Sequence, residues 1–480
     1  MSFDMSTVVL GIIFPIVYPI AVVLSVLDRL YAWYSTRAPA PSWHTLPQDV
    51  VVGILMECPN LPTLQAVINS HPQVDQAFRS AEAEILAGVM SRTIHPDYWD
   101  LAFLAYDASM LEDGQWTRAR VHQILNHHLQ AHHDNWTLRK AMACAELHRH
   151  VLHFTKDYLQ QALTVLLSPF GEPTADEELR VGLAFYRFEI HRHLFRPRQN
   201  LRVRREAWSP QQQPLPQVPA PLLLDFTSPE MFQFYYSQFA VWEVEQVVAL
   251  TEYLFRITAP LVRQLVDEPT LQPHRVEIET EEAWEGLRNA RTANVLSYGL
   301  AFLHTLLETA DPRVRRDMLL PKLDERLFWL PYILKNVYQP PIDPTRSVPE
   351  LMEQDDDALD GNSPDSDGDG PATVWRAAHN RSHLSQFIGN DNYRGRRQQG
   401  YVFWNQSRYL YRRWSLFLIA RRPPLPLARI QTRVPQVVER RRWPGLAWDG
   451  ASWDPRRIAV AGLEQILDWV DIAAEYARPH

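Results

Sequence analysis

A segment from Trp136 to Leu167 places the strongest constraint on the fold, because it contains neither proline nor glycine and its hydrophobic spacing is helical. Its apolar residues fall into two stripes, so we expect one long helix that is buried on two sides. The chain has only 17 glycines, and stretches rich in Leu, Ala, Glu and Arg lie between its 37 prolines. This composition favours helices over a barrel or a nucleotide-binding sheet, and the sequence predicts an all-α fold. One stripe comprises Leu138, Ala141, Ala145, Leu152, Leu159, Leu163 and Leu166, and the other comprises Leu147, Val151, Phe154, Tyr158, Ala162 and Val165.

Residues 93–480 are expected to form a large, irregular multi-helix domain, because helical periodicity recurs in several further segments. A chain of 480 residues exceeds one ordinary core, so an accessory module is expected beside this domain. No period of about 20 to 50 residues repeats along the sequence, which disfavours propellers and regular helical solenoids. The further helical segments are predicted at 175–194, 229–257, 277–310, 313–337, 372–388, 400–419 and 455–477.

Two stretches interrupt the predicted helical domain. Residues 207–222 are rich in proline and glutamine, which predicts an extended linker. Residues 350–371 are acidic and almost free of apolar side chains, so they cannot bury enough surface to fold by themselves. We expect this second stretch to be a disordered insertion.

Residues 41–92 are expected to form the accessory module, a unit of three short helices. The first helix opens at the Leu46-Pro47 pair, where the missing N–H of proline costs nothing. Breaks are predicted at 59–60 and at 70–72, where prolines interrupt the helical pattern. The apolar residues at helical spacing in the first two helices are Val50, Val51, Ile54, Leu55, Leu61 and Leu64.

The Leu46-Pro47 pair, the acidic Asp49 and the three-helix layout resemble an F-box. The third helical segment differs from the usual pattern, because it offers Phe78 where a cysteine and a tryptophan are common. The resemblance implies that the module docks onto the small adaptor subunit of a cullin-RING ubiquitin ligase through the apolar residues of its first two helices. The implied partner-binding residues are Leu46, Pro47, Val50, Val51, Ile54, Leu55, Leu61 and Leu64.

Three later stretches, at 182–190, 242–247 and 400–404, look like segments of fungal F-box-like proteins. Together with the module, this likeness would cover most of the chain beyond Leu46. It implies an N-terminal F-box followed by a large helical region. This resemblance implies no particular reaction and no particular ligand.

Residues 8–27 carry no charge and are long enough to cross a bilayer as a helix, so residues 1–40 are a candidate membrane anchor with its linker. Arg29 and Arg37 would hold the body of the protein on the cytoplasmic side. Pro15 and Pro19 would kink such a helix. The alternative is a buried helix that packs on the main domain.

Net charge and cysteine content limit which classes of partner and which cellular compartment the protein is expected to have. The formal net charge of -8 argues against general nucleic-acid binding, because phosphate contacts need a basic face. Cys58 and Cys144 are the only cysteines, so the chain has neither a disulfide framework nor a cysteine-based zinc site. We expect a cytoplasmic or nuclear protein.

Eight of the 18 histidines lie between His122 and His153. Glu146, His150 and His153 share one face of the long helix, a spacing that could in principle build a metal site. The same polar stripe continues along the helix through Asp157, which favours a solvated face, and no metal or cofactor is assigned. His148 lies on an apolar stripe and is expected to be a hydrogen-bonded core histidine.

No phosphate-binding loop, dinucleotide-binding glycine pattern or serine-nucleophile elbow occurs in the sequence, so no catalytic residue is assigned. The sequence therefore predicts a non-enzymatic, F-box-like adaptor that binds a cullin-RING ligase and presents an unknown protein substrate through its helical region. The alternative is a non-catalytic helical scaffold, or a membrane-tethered interaction protein, whose module packs only against its own body. A third hypothesis is an enzyme with an unrecognised pocket.

Overall fold

The computed structural model describes residues 43, 46–111, 116–130, 136–166, 171–195, 226, 228–267, 281–323, 370–379, 394–405 and 408. Of this part, 82% is helical and none is in a strand, which confirms the all-α prediction for the described residues. The chain divides into two compact units. Unit 1 is Met1–Trp99 with His133–Glu146, and unit 2 is Asp100–His132 with Leu147–His480.

The described α-helices are numbered α1 to α15 along the chain. A short 3₁₀ turn at Pro96–Tyr98 lies between α4 and α5, and another at Tyr236–Gln238 lies between α9 and α10. In order they are Gln48–Met56, Leu61–Ile68, Pro72–Ser80, Glu82–Thr93, Trp99–Ser109, Arg118–Gln130, Leu138–Leu166, Ala175–Phe195, Ser228–Phe234, Val241–Val266, Glu281–Leu296, Gly299–Glu308, Pro312–Leu323, Pro371–His379 and Arg394–Gln398.

The module in unit 1 begins its second and third helices at the predicted breaks. Asn60 caps helix α2, because its side-chain oxygen accepts the Thr63 N–H at 2.9 Å. The ring of His71 accepts the Gln73 N–H at 3.2 Å in front of helix α3. Each cap satisfies an amide that has no partner within the first helical turn.

The prediction of three helices in the module is wrong, because its third segment forms two helices, α3 and α4. Ala81 separates them with a non-helical backbone, at φ −137° and ψ 30°. The Ser80 hydroxyl, which precedes this break, donates to the Ala77 carbonyl and competes with the helical ladder. The apolar spacing continues across the break, which is why periodicity did not reveal it. The module's core comprises Val51, Leu55, Leu61, Leu64, Ile68, Val74, Ala77, Phe78, Ile85, Leu86, Val89 and Met90.

Arg92 ties the end of helix α1 to helix α4. Its guanidinium donates to the carbonyls of Met56 and Cys58, the second at 2.9 Å, and so satisfies groups that the end of α1 leaves open. Burial raises the pKa of the Cys58 thiol, and the charge of Arg92 only partly opposes this effect. Cys58 therefore stays a protonated core residue.

Helices α8 and α10 form the centre of unit 2, where they pack against each other, and α10 also packs against α11 and α15. Most residues of both helices are buried. The buried residues include charged ones, several of which pair with opposite charges inside the core. Arg397 bonds to Glu245 at 2.8 Å and to Glu252 at 2.7 Å, and both its side chain and that of Glu245 are fully buried. Arg408 bonds to Glu177 at 2.9 Å in the same way. Late residues of the chain thus dock into the middle of unit 2.

The long helix α7 runs from Leu138 to Leu166, as predicted. Val151, Phe154 and Tyr158 of one stripe are buried, whereas Leu152 of the other is 39% exposed. Burial on two sides is therefore wrong at Leu152, because periodicity shows that a face is apolar but not that a neighbour covers it.

Two glycines with positive φ lie where the sequence predicted helix, one inside the predicted helix 277–310 and one at the start of the predicted helix 400–419. Gly299, at φ 84°, separates α11 from α12, and a Cβ there would lie 2.1 Å from the Arg192 side chain. Glu189 accepts the Leu300 N–H at 3.0 Å beside this turn. Gly400, at φ 70°, follows α15, and residues 400–403 form turns where the sequence predicted the start of a helix.

Several predictions lie outside the described residues: the apolar segment 8–27, the linker 207–222, most of the acidic insertion at 350–369 and the helix at 455–477. The insertion's last residue, Pro371, begins helix α14. Within the described part of the chain, no helix combines the length and the apolar character that crossing a membrane requires.

Candidate functional site

The structure separates the predicted docking residues into two groups. Val51, Leu55, Leu61 and Leu64 are at most 6% exposed and form part of the module's own core. Pro47 and Val50 are exposed, Val50 by 42%, and Leu46 and Ile54 are half-buried. The second group, which we call the α1 stripe, is the part of the predicted set that a partner can reach directly.

The α1 stripe follows one side of the first helix. Pro47, Val50 and Ile54 occupy positions i, i+3 and i+7, which lie on the same helical face. The Pro47 carbonyl accepts the Val50 and Val51 N–H groups, so the proline is fixed at the start of the helix. Gly53 lies beside this line, and apart from its chain neighbours and the backbone of its own helix, no atom lies within 4 Å of the place where a Cβ would stand. The result is a low, mostly apolar surface with Asp49 at its edge.

A second cluster lies in unit 2, where His150 and His153 of helix α7 meet His304 of helix α12. His150 is 3% exposed, and its Nδ1 lies 2.7 Å from Nδ1 of His304. The His153 and His304 rings stack with their centroids 3.8 Å apart. The predicted solvated face is therefore wrong at His150, because a residue far along the chain covers it.

Glu308 completes this group, which we call the histidine cluster: His150, His153, His304 and Glu308. Its Oε1 lies 3.0 Å from Nε2 of His304. Burial lowers the pKa of His153, the neighbouring His304 adds to that effect, and the carboxylates of Glu308 and Asp157 oppose it. Nitrogen and oxygen donors at this spacing are ligand types that transition metals accept. The sequence signal for this group was weak. His304 and Glu308 lie four residues apart on one helix, but this spacing alone does not connect them to His153.

His148 and His128 of unit 2 each have a partner outside the histidine cluster. His148 is 4% exposed and lies 3.1 Å from the Tyr186 hydroxyl, which confirms the predicted hydrogen-bonded core histidine. Burial lowers the pKa of His148 to about 4. His128 lies 2.8 Å from the carboxylate of Asp107. Neither residue belongs to the histidine cluster.

The chain matches no protein-family model, no curated protein and no solved structure.

Proposed function

We propose that this protein is an F-box-like adaptor, whose module binds the small adaptor subunit of a cullin-RING ubiquitin ligase and whose helical region presents a protein substrate. The Leu46-Pro47 opening and the compact helical module support this proposal. The transfer chemistry would belong to the partner subunits.

The observation that carries the proposal is the apolar character of both sides of helix α1. Val51 and Leu55 fill the core with their side chains, and Val50 and Ile54 still place apolar surface on the outside. A helix at the surface of a self-sufficient module normally carries polar residues on its outer face. Apolar anchors at helical spacing are what a partner's groove would receive.

The proposal concentrates the contact on the first helix. In helix α2, which packs against helix α3, Leu61 and Leu64 are core residues of the module. Substitutions at these two positions would unfold the module, and a loss of binding would then say nothing about the surface. Val50 avoids this problem, because it is already exposed.

The test uses the full-length protein, with the purified small adaptor of a cullin-RING ligase immobilised as bait. We expect Val50→Glu to reduce capture at least tenfold, because the interface would bury an unpaired charge. Val314→Glu is the matched control, since Val314 of helix α13 is 49% exposed and lies outside the module. The control should be captured as well as the wild type.

The burial of half of the predicted docking residues favours a second candidate, a scaffold whose module serves only its own fold. The same experiment separates the two functions. If the wild-type protein is not captured, or if both glutamate variants bind equally well, the adaptor function is wrong and the scaffold is favoured.

A further inference from the structure

The histidine cluster places three ligand-type side chains around one point in unit 2. One donor atom each of His153, His304 and Glu308 lies within 4.8 Å of the others. Helix α7 supplies the first residue, and helix α12 supplies the other two from positions i and i+4, which share a face. Two helices that are distant in sequence therefore fix the group from both sides.

The Nε2 atom of His304 is the decisive atom in this cluster. His304 is 4% exposed, and within the described part of the chain its Nε2 makes no hydrogen bond. It lies 3.0 Å from Glu308 Oε1, but in an orientation that does not form one. A buried ring nitrogen that makes no hydrogen bond, with only an exposed carboxylate beside it, is a group that a bound ion would satisfy. Tetrahedral bonds of about 2.0 to 2.1 Å place two zinc ligands roughly 3.3 Å apart, close to this spacing.

His150 explains how Nε2 of His304 would be left without a proton. The two Nδ1 atoms lie 2.7 Å apart, so one of them donates and the other accepts. When His304 donates from Nδ1, its neutral ring keeps a lone pair on Nε2, beside the Glu308 carboxylate. A histidine that binds a metal usually donates its other N–H to a neighbouring acceptor, which orients the ring. His150 is placed to be that acceptor.

We propose that His153, His304 and Glu308 bind one divalent transition-metal ion, with Zn²⁺ as the ion that suits them best. Two imidazoles and one carboxylate are a ligand set for zinc, whereas calcium and magnesium prefer oxygen ligands alone. Three protein ligands leave a fourth position for water or for a ligand from outside. This site is independent of the proposed docking surface.

The surroundings of the cluster give the ion one side of entry. Phe154 contacts the His304 ring and is fully buried, so it forms an apolar wall on the inner side, beside His150. The Glu308 side chain is 63% exposed, so the carboxylate lies on the solvent side. The His153 and His304 rings are inclined by only 26°, and the ring of His153 must rotate to aim a lone pair at a shared ion. His153 is half-buried, so its ring is not enclosed on every side.

The test is Zn²⁺ titration of the full-length protein, purified without a histidine tag and freed of metal with a chelator. Isothermal titration calorimetry should show one site of micromolar or tighter affinity, and Zn²⁺ should raise the melting temperature. Co²⁺ in the same site should give the visible absorption of a tetrahedral complex. Glu308→Gln and His153→Gln each remove a ligand outside the deep core and should weaken binding at least tenfold.

His128→Gln is the matched control. It removes a histidine that contacts a carboxylate elsewhere in unit 2, and it should bind Zn²⁺ like the wild type. Circular dichroism of each metal-free variant separates a lost ligand from a lost fold. The proposal is overturned if the wild type shows no saturable Zn²⁺ binding, or if either folded ligand variant binds Zn²⁺ as tightly as the wild type.

Discussion

The module at residues 46–93 and the core of unit 2 differ in how their polar groups are satisfied. In the module, Arg92 reaches the Met56 carbonyl over 36 residues, and the ion pair of Arg79 with Asp75 spans one helical turn at the surface. In unit 2, Arg397 reaches Glu245 over 152 residues and makes the bond inside the core. Stability in the module therefore depends on apolar packing and local caps. Unit 2 also depends on buried ion pairs between residues that are distant in sequence.

The largest expected effect comes from removing one of those buried charges. Arg397→Met keeps an unbranched side chain but removes the buried guanidinium whose charge balances Glu245 and Glu252. Breaking a buried pair in this way costs about 3 to 5 kcal/mol. Hydrogen exchange followed by mass spectrometry should show lower protection in unit 2 and unchanged protection in the module.

Arg79→Met is the matched control for this experiment, because the Arg79 side chain is 75% exposed. An exposed ion pair contributes about 0 to 1 kcal/mol. If Arg79→Met and Arg397→Met lower stability by equal amounts, the contrast between the two regions is wrong.

A smaller effect is expected on acidification, again in unit 2. Burial raises the pKa of Glu189, but Arg192, His193 and the Leu300 amide outweigh burial and hold it at about 2. Burial alone lowers the pKa of His148 to about 4. In both cases the folded state binds fewer protons than the unfolded state, so stability rises with pH across each interval.

The loss of stability should therefore occur in two intervals as the pH falls. His148 acts between its ordinary value of 6.5 and about 4, and Glu189 between 4.5 and about 2. Each shift corresponds to on the order of 3 kcal/mol. Denaturant unfolding from pH 7 downward measures it. His148→Gln, which cannot titrate, should reduce the loss in the first interval but not abolish it, because burial also lowers the pKa of His191, to about 3. An unchanged profile in that variant would exclude His148 as the cause.

The smallest expected effect tests apolar core packing, which the two regions share. Ile85 in the module and Ile190 in unit 2 are both fully buried. Ile→Val at either position removes one methylene group and should cost about 0.5 to 1.5 kcal/mol. Peptide-resolved hydrogen exchange should show similar losses in the two units. A much larger loss at Ile190 would mean that apolar packing also differs between the regions.

The same contrast explains how much the sequence could predict. Helix α7 and the breaks before α2 and α3 depend on spacing, prolines and caps within a few residues, and these were predicted correctly. The break at Ala81 was missed, because the apolar pattern continues through it. Local sequence signals therefore predicted these helices but did not predict every helix boundary.

Contacts between distant residues could not be predicted in this way. His150 was expected to face solvent, because its own helix shows a polar stripe, and its partner His304 is 154 residues away. The same holds for Glu245 and Glu252, whose partner Arg397 follows 152 and 145 residues later. Only the tertiary fold shows that these charges are buried together. Of the predicted docking residues, the sequence could not separate the α1 stripe from the core.

The pairing of Arg397 with Glu252 has a consequence for synthesis of the chain on the ribosome. Helix α10 emerges with its glutamates well before their partner, which follows 145 residues later. At about 5 to 20 residues per second, that interval lasts roughly 7 to 29 seconds. During it Glu245 and Glu252 lack the arginine that neutralises them, so this part of unit 2 cannot close around them as charged groups. Completion of the fold must wait for the late segment, and the nascent helices are open to chaperones until it arrives.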